Sequence, residues 1–188
     1  MPLFVTLEGI EGAGKSSLQR TLAEALGQEF PEVVVTREPG ATRLGKSIRA
    51  LLLDPENTCL SAQAELALFA ADRAQHVHEI IRPALARGAL VISDRFTHST
   101  LAYQGYGRGL PLEQLRQFNQ LATGGLEPDV VLLLDLCPEE GLYRARGRYN
   151  EHFQGAAPAN PACAALDHGW SRFEEEELAF HTRIREGY

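Results

Sequence analysis

The sequence predicts an α/β fold in which a mainly parallel sheet is layered between helices. Gly9-Ile10-Glu11-Gly12-Ala13-Gly14-Lys15-Ser16 has the G-x-x-x-x-G-K-[ST] spacing of a loop that wraps its backbone around a polyphosphate. Short apolar, β-branched runs alternate with stretches whose apolar residues recur at helical spacing, as βα units require. The 188 residues, 44% of them hydrophobic, suffice for one core and show no composition break. One domain over residues 1–188 is therefore expected.

Bulk properties narrow the function. A formal net charge of −7 and a pI near 5.4 argue against a general nucleic-acid binder. Cys59, Cys137 and Cys163 are odd in number and unpaired in spacing, which suits reduced thiols rather than a disulfide framework. No apolar run approaches the roughly 20 residues of a membrane span, and Met1-Pro2-Leu3 leads straight into an apolar strand. A soluble, cytoplasmic protein is expected.

Phe4, Val5 and Leu7 form the first strand, and Leu18, Leu22, Ala25 and Leu26 the apolar face of the helix after the loop. Glycines at 9, 12 and 14 let backbone N–H groups approach phosphate oxygens, Lys15 adds a mobile charge, and the Ser16 hydroxyl is placed to hold magnesium. A nucleoside triphosphate with Mg2+ is implied. Val33 to Thr36 is a second strand that delivers Arg37-Glu38-Pro39-Gly40 to its carboxyl end, where open α/β sheets bind ligands. A short helix follows with Leu44, Ile48, Leu51 and Leu52 on one face and Arg49 off it, ending near Asp54-Pro55.

From Ser61 a long helix runs through Leu66, Phe69, Ala70, Val77, Ile80 and Ile81 towards Pro83 and Gly88. Phe69 and Arg73 share a face, either as an aromatic plate and guanidinium for a planar base or as a core Phe beside a solvated Arg. Leu90 to Asp94 is the third strand, ending in an acid followed by Arg95. Leu132 to Asp135 also ends in an acid, so the pattern alone leaves two candidates for positioning the metal, of which Asp94 has the richer surroundings. Phe96 to Gly109 has the composition of a binding loop. A polar helix runs from Pro111 to before Gly124-Gly125, Val130 to Asp135 is the fourth strand, and Pro138 opens a helix carrying Arg144, Arg146 and Arg148. Residues from about 149 to 172 read as a long mobile lid, and Glu174 to Glu177 open a last helix through Leu178, Phe180 and Ile184. The spacings around Cys163 with His168, and His76 with His78, match no closed zinc set.

With these residues in hand the chain resembles the thymidylate kinases, P-loop kinases that move the γ-phosphoryl of ATP onto dTMP. The likeness runs from Leu3 to about Arg148 and again from Arg172 to Tyr188, through Gly9 to Ser17, Arg37 to Gly40, Phe69 with Arg73, Asp94-Arg95-Phe96 and Ser99 to Gly109. It implies a three-layer α/β/α P-loop NTPase fold, usually homodimeric. It also implies that the loop from Gly9 to Ser17, with Arg144, binds ATP, and that Ser16 and Asp94 hold the metal. Lys15, Asp94, Arg95 and a lid arginine, here Arg172, would serve transfer. For dTMP it implies Glu11 near the sugar hydroxyl and Phe69 stacked on thymine, with Arg73, Thr100 and Gln104 reading its edge. Tyr103 would crowd the 2′ position, and Arg37, Glu38, Pro39, Arg49, Arg95 and Ser99 would complete the site.

Some members carry arginine where this loop has Gly12, and those without it draw the transition-state arginine from the lid. Two departures stand out: an Ala/Pro-rich insert before Ser171, and no counterpart of the family's fifth strand and final helix. A four-stranded sheet with an open edge, in a chain cut short after Tyr188, is expected. The competing readings are another deoxynucleotide or nucleoside kinase, or a nucleotide-binding protein inactive through that truncation.

Overall fold

In the computed structural model, residues 1–57, 59–153 and 171–188 are described, without the side chains of 148–150 and 151–153. Strand β1 (Leu3–Glu8) is buried on both faces and lies inside the sheet, as a parallel strand covered on both sides does. The order is β2-β3-β1-β4, with β2 (Val33–Arg37), β3 (Leu90–Asp94) and β4 (Val130–Leu133), and every pairing is parallel. Alternate residues of β1 serve the two cores. Val5 and Leu7 join Leu90 and Ile92 beneath Leu18, Leu22 and Leu26 of α1 (Lys15–Leu26), while Phe4 and Val91 pack with Phe96, Val77, Ile81 and Ala84 on the other face. Leu7 is level with Asp94 and Asp94 with Arg37, so the segments leaving β1, β2 and β3 start side by side.

Helix α2 (Arg43–Leu53) is capped by the Thr42 hydroxyl, which accepts from Gly45 N at 2.9 Å. Its buried face is Gly45, Ile48, Leu52 and Leu53. Leu44 and Leu51, expected in the core, are 49% and 52% exposed because the stripe turns towards α3. Helix α3 (Ala62–His76), capped by Ser61, continues through a π-helical turn, Val77–Ile81, into α4 (Arg82–Ala86), so the long predicted helix is present with a widened turn.

The stretch expected to be a binding loop is helical instead: α5 (Thr97–Thr100) passes into a π-helical segment, Leu101–Gly107. Its glycines serve close packing. A Cβ on Gly107 would lie 2.8 Å from the Phe180 ring, and one on Gly105 2.6 Å from Leu112. Then come α6 (Leu112–Thr123), β4, α7 (Pro138–Phe153) and α8 (Leu178–Gly187). β4 stops at Leu133, short of Asp135. Helix α7 runs past residue 149, where the lid was expected to begin, and the rest of that expected lid through 170, with Cys163 and His168, lies outside the described residues. The last helix starts at Leu178 rather than Glu174. Glu174 is committed to the preceding turn, where it accepts from Ser171 N at 2.9 Å and from the Ser171 hydroxyl.

Candidate active site

The phosphate loop is shaped by its glycines. At Gly9 (φ 133°) a Cβ would lie 2.5 Å from Leu134 O, and at Gly12 (φ 76°) 2.2 Å from Gly141 O on α7. The close approach of α7 is thus the physical reason this loop carries no side chain at position 12. Ile10 buries its side chain in the core and leaves only its backbone to the loop; Ala13 packs at the edge of that cluster. Lys15 is buried and curls back to donate to Gly9 O (3.0 Å) and Ile10 O (2.8 Å). Burial, and the nearby Arg95 charge, lower its pKa to about 8 against the pull of Asp94, Glu11 and Glu8.

Ser16 Oγ donates to Asp94 Oδ2 at 3.3 Å, and Asp94 Oδ1 is buried with no hydrogen-bond partner among the described residues. A hydroxyl beside an orphaned carboxylate oxygen is the donor set a hard divalent cation takes. The rival acid, Asp135, is instead exposed and pairs with Arg185 at 2.6 and 2.9 Å. Ser17 starts α1 through its N–H to Gly14 O (3.1 Å), and Arg144 pairs with Glu140 (2.7 Å) on the exposed side of α7.

Arg95 joins this loop to the neighbouring cavity. Its φ of 74° is a conformation non-glycine residues seldom adopt, at a cost of about 1–3 kcal/mol that surrounding contacts must offset. The guanidinium donates to Gly9 O (3.0 Å), Ser99 Oγ (3.2 Å), Tyr188 OH (2.9 Å), Glu11 Oε1 (2.9 Å) and Tyr103 OH (2.9 Å). Although burial acts to raise the Glu11 pKa, His181, Arg95 and Lys15 together hold that carboxyl well below the usual range. His181 Nδ1 stands 3.6 Å from Glu11 Oε2. Burial pushes the Tyr103 and Tyr188 hydroxyls up, so both remain donors. Sequence reasoning missed Glu8, Tyr188 and His181. Glu8 is the one that left a signal, a carboxylate ending an apolar strand, and it accepts from Phe96 N (2.9 Å) and Ser99 Oγ (2.6 Å).

Beside Arg95 lies a cavity of about 190 Å³. Of the residues expected to bind a nucleoside monophosphate, Glu11, Glu38, Pro39, Arg49, Phe69, Arg73, Arg95, Ser99, Thr100, Tyr103 and Gln104 line it. Arg37 does not; it is exposed at the end of β2. Leu53, Ser171, Phe173 and Glu174 line it without having been anticipated, Phe173 with its ring centroid 6.2 Å from Phe69 and 5.8 Å from Tyr103.

Arg73 is not solvated. It is 2% exposed and donates to Glu38 Oε2 (2.8 Å), Thr100 Oγ1 (2.7 Å), Asn119 Oδ1 (2.8 Å) and Phe96 O (3.0 Å). Glu38 also meets His76 Nδ1 (2.9 Å), whose Nε2 is 2.7 Å from Thr36 Oγ1. Despite burial, Arg73 and His76 keep the Glu38 pKa low. Asp72 accepts from Gly40 N at 3.0 Å, and burial together with the Glu38 charge pushes its pKa up to about 6. Arg49 donates to Pro39 O at 3.0 Å. Arg172 is not brought together with Lys15, Asp94 and Arg95: its Nε donates to Leu52 O (2.5 Å), its NH2 to Glu65 Oε2 (2.7 Å), and it stacks over Phe173.

The arrangement, a polyphosphate loop and a base-sized cavity bridged by one arginine, can bring two nucleotides end to end. A family model described as thymidylate kinase matches residues 7–158. The thymidylate kinase of Nitratidesulfovibrio vulgaris (strain DP4) is 53% identical over 186 residues, covering 99% of this chain and 78% of the relative. That of Synechococcus sp. (strain JA-2-3B'a(2-13)) is 51% identical over 188 residues, covering 99% and 79%. Among solved structures, thymidylate kinase from Ehrlichia chaffeensis superposes with a TM-score of 0.69 at 39% identity, over 81% of this chain and 87% of that one. The chain belongs to the thymidylate kinase family.

Proposed function

We propose that the chain, as one kinase domain, transfers the γ-phosphoryl group of ATP to dTMP, giving dTDP and ADP. The observation that carries this reading is Arg95, which touches the phosphate loop at Gly9 and lines the cavity where Phe69, Arg73, Thr100 and Gln104 gather. The acceptor is a phosphate oxygen that is already anionic, so no general base is needed and the barrier lies in bringing two polyanions together. Lys15 and the loop N–H groups hold the donor, and Arg95, aided by Arg37 and Arg49, offsets charge where the phosphates meet. Magnesium held by Ser16 and Asp94 would neutralise the triphosphate. Phe69 stacks on the base, and Tyr103, locked against Glu11 and Arg95, closes the space beside the sugar. Arg172 is the reserve of positive charge: once its pair with Glu65 opens, it can reach the phosphates.

A homodimer acting in the cytoplasm, with ATP and dTMP as its small-molecule partners, completes the reading. Exposed Leu44 and Leu51 on α2, and Phe118 and Leu121 on α6, support a helical interface. No helix among the described residues is long and apolar enough to cross a membrane. ADP release coupled to dTMP, dUMP, dCMP and thymidine tests the activity. Fastest turnover with dTMP is expected; a preference for thymidine or dCMP would overturn it. In the same assay Arg172→Ala is expected to lower kcat by about 10²-fold or more while dTMP affinity stays nearly intact.

A further inference from the structure

Glu65 is almost wholly buried at the start of α3, and the reading above uses it only as the resting partner of Arg172. Three groups converge on its carboxylate. Gln104 Nε2 donates to Oε1 at 2.6 Å, Arg108 Nε to Oε2 at 3.2 Å, and Arg172 NH2 to Oε2 at 2.7 Å. Two guanidinium groups facing one carboxylate offset the cost of burying it and hold it in place. Of these partners, Gln104 also lines the base-sized cavity.

An amide side chain has a donating end and an accepting end that are nearly alike in shape, and only its hydrogen-bond partners decide which way it points. An ionised carboxylate accepts and cannot donate. Glu65 therefore takes the NH2 end of Gln104, and no described residue donates to Gln104 Oε1. We infer that Glu65 is a specificity-determining positioning residue: it fixes the Gln104 amide so that an acceptor, not a donor, is offered to the edge of the bound base.

The consequence follows from base chemistry, and rests on the dTMP reading above. A thymine or uracil ring carries an imide N3–H that meets such an acceptor. Cytosine carries a bare N3 lone pair at the same place and would face lone pair against lone pair. A site built to pair with a buried N–H discriminates strongly against an analogue that lacks it, because its own polar group is left without a partner. Methyl recognition is separate, so the fair comparison is dTMP against 5-methyl-dCMP, which keeps the methyl group and sugar and inverts the hydrogen-bonding edge at N3 and the adjoining C4 group.

The test is the ratio of kcat/KM for dTMP over 5-methyl-dCMP in the wild type and in Glu65→Gln, with equilibrium binding of both nucleotides measured alongside. Gln at 65 can still accept from one arginine, but its own NH2 now competes for the Gln104 carbonyl and releases the amide to turn over. The ratio is expected to fall at least about tenfold, by loss on dTMP or gain on 5-methyl-dCMP. An equal loss on both substrates would mark Glu65 as a structural clamp and overturn the inference. Gln104→Met, which leaves Glu65 and its arginines in place, is expected to lower the same ratio, and an unchanged ratio there overturns it too, even if Glu65→Gln does not fold. A wild type that neither binds nor turns over dTMP defeats the functional reading instead, so the two failures are distinguishable.

Discussion

Lys15 is held by backbone carbonyls of its own loop, with a pKa lowered to about 8 by burial and by Arg95. A triphosphate in the loop would restore the charged form, so ATP binding should take up part of a proton near pH 9 and weaken as pH rises above about 8. Calorimetry in two buffers of different ionisation enthalpy measures this, and equal heats would show that Lys15 keeps its proton throughout. Asp72 works in the opposite sense. Its folded pKa of about 6 lies above the ordinary 3.8, so between those values the folded chain binds more protons than the unfolded one. Stability is therefore lost as pH rises from about 4 to about 6, by on the order of 2 kcal/mol. Asp72→Asn keeps an acceptor for Gly40 N, and should raise Tm at pH 7 with the gain shrinking towards zero near pH 4. A constant gain across that range would place the effect elsewhere.

Among elements, the phosphate loop and α7 meet backbone to backbone. Gly12 and Gly141 face each other: a Cβ on Gly141 would meet Glu11 O at 2.5 Å, just as one on Gly12 would meet Gly141 O. Alanine ordinarily favours a helix over glycine by up to about 1 kcal/mol. Here Gly141→Ala should instead destabilise by about 1–3 kcal/mol and weaken ATP binding, because the loop must shift; a rise in Tm with ATP affinity unchanged would refute this. The tie between β2 and α3 is electrostatic. Removing the Arg73 head group leaves the Glu38 carboxylate buried with the His76 ring as its remaining close partner. Arg73→Leu should cost about 3–5 kcal/mol in urea denaturation, and Glu38→Gln added to it should recover part of that loss.

For the molecule as a whole, the proposed dimer needs apolar surface, and Leu121 on α6 is 82% exposed with Phe118 a turn away at 42%. Leu121→Lys should shift sedimentation from twice 20.7 kDa towards the monomer while leaving the monomer's thermal unfolding within about 0.5 kcal/mol. The sheet shows apolar side chains at both edges, Val35 on β2 and Val131 and Leu133 on β4. The described residues form a sheet of four strands, as expected from the likeness to a family whose fifth strand has no counterpart here.

Much of this was legible in the residues themselves. Strand and helix periods report local geometry, so β3 falls on Leu90–Asp94 as read, and the loop from Gly9 to Ser16 announces phosphate through residue types that backbone sterics alone demand. The turn-rich composition of 96–109 misled, because its glycines answer to the neighbours Phe180 and Leu112, which composition does not reveal. Whether Arg73 was solvated or buried, and which of Asp94 and Asp135 faces Ser16, depended on partners tens of residues away, such as Glu38, Asn119 and Arg185. The sequence by itself determined the strands and the phosphate loop, since each is a local choice of shape and polarity, and its resemblance to the thymidylate kinases supplied most of the cavity's side chains. The tertiary structure decided their pairing: that Arg95 bridges loop and cavity, that Arg172 rests on Glu65, and that Glu65 orients Gln104. Those are long-range hydrogen bonds made by buried and part-buried charged side chains, and they exist only once the chain has closed around them.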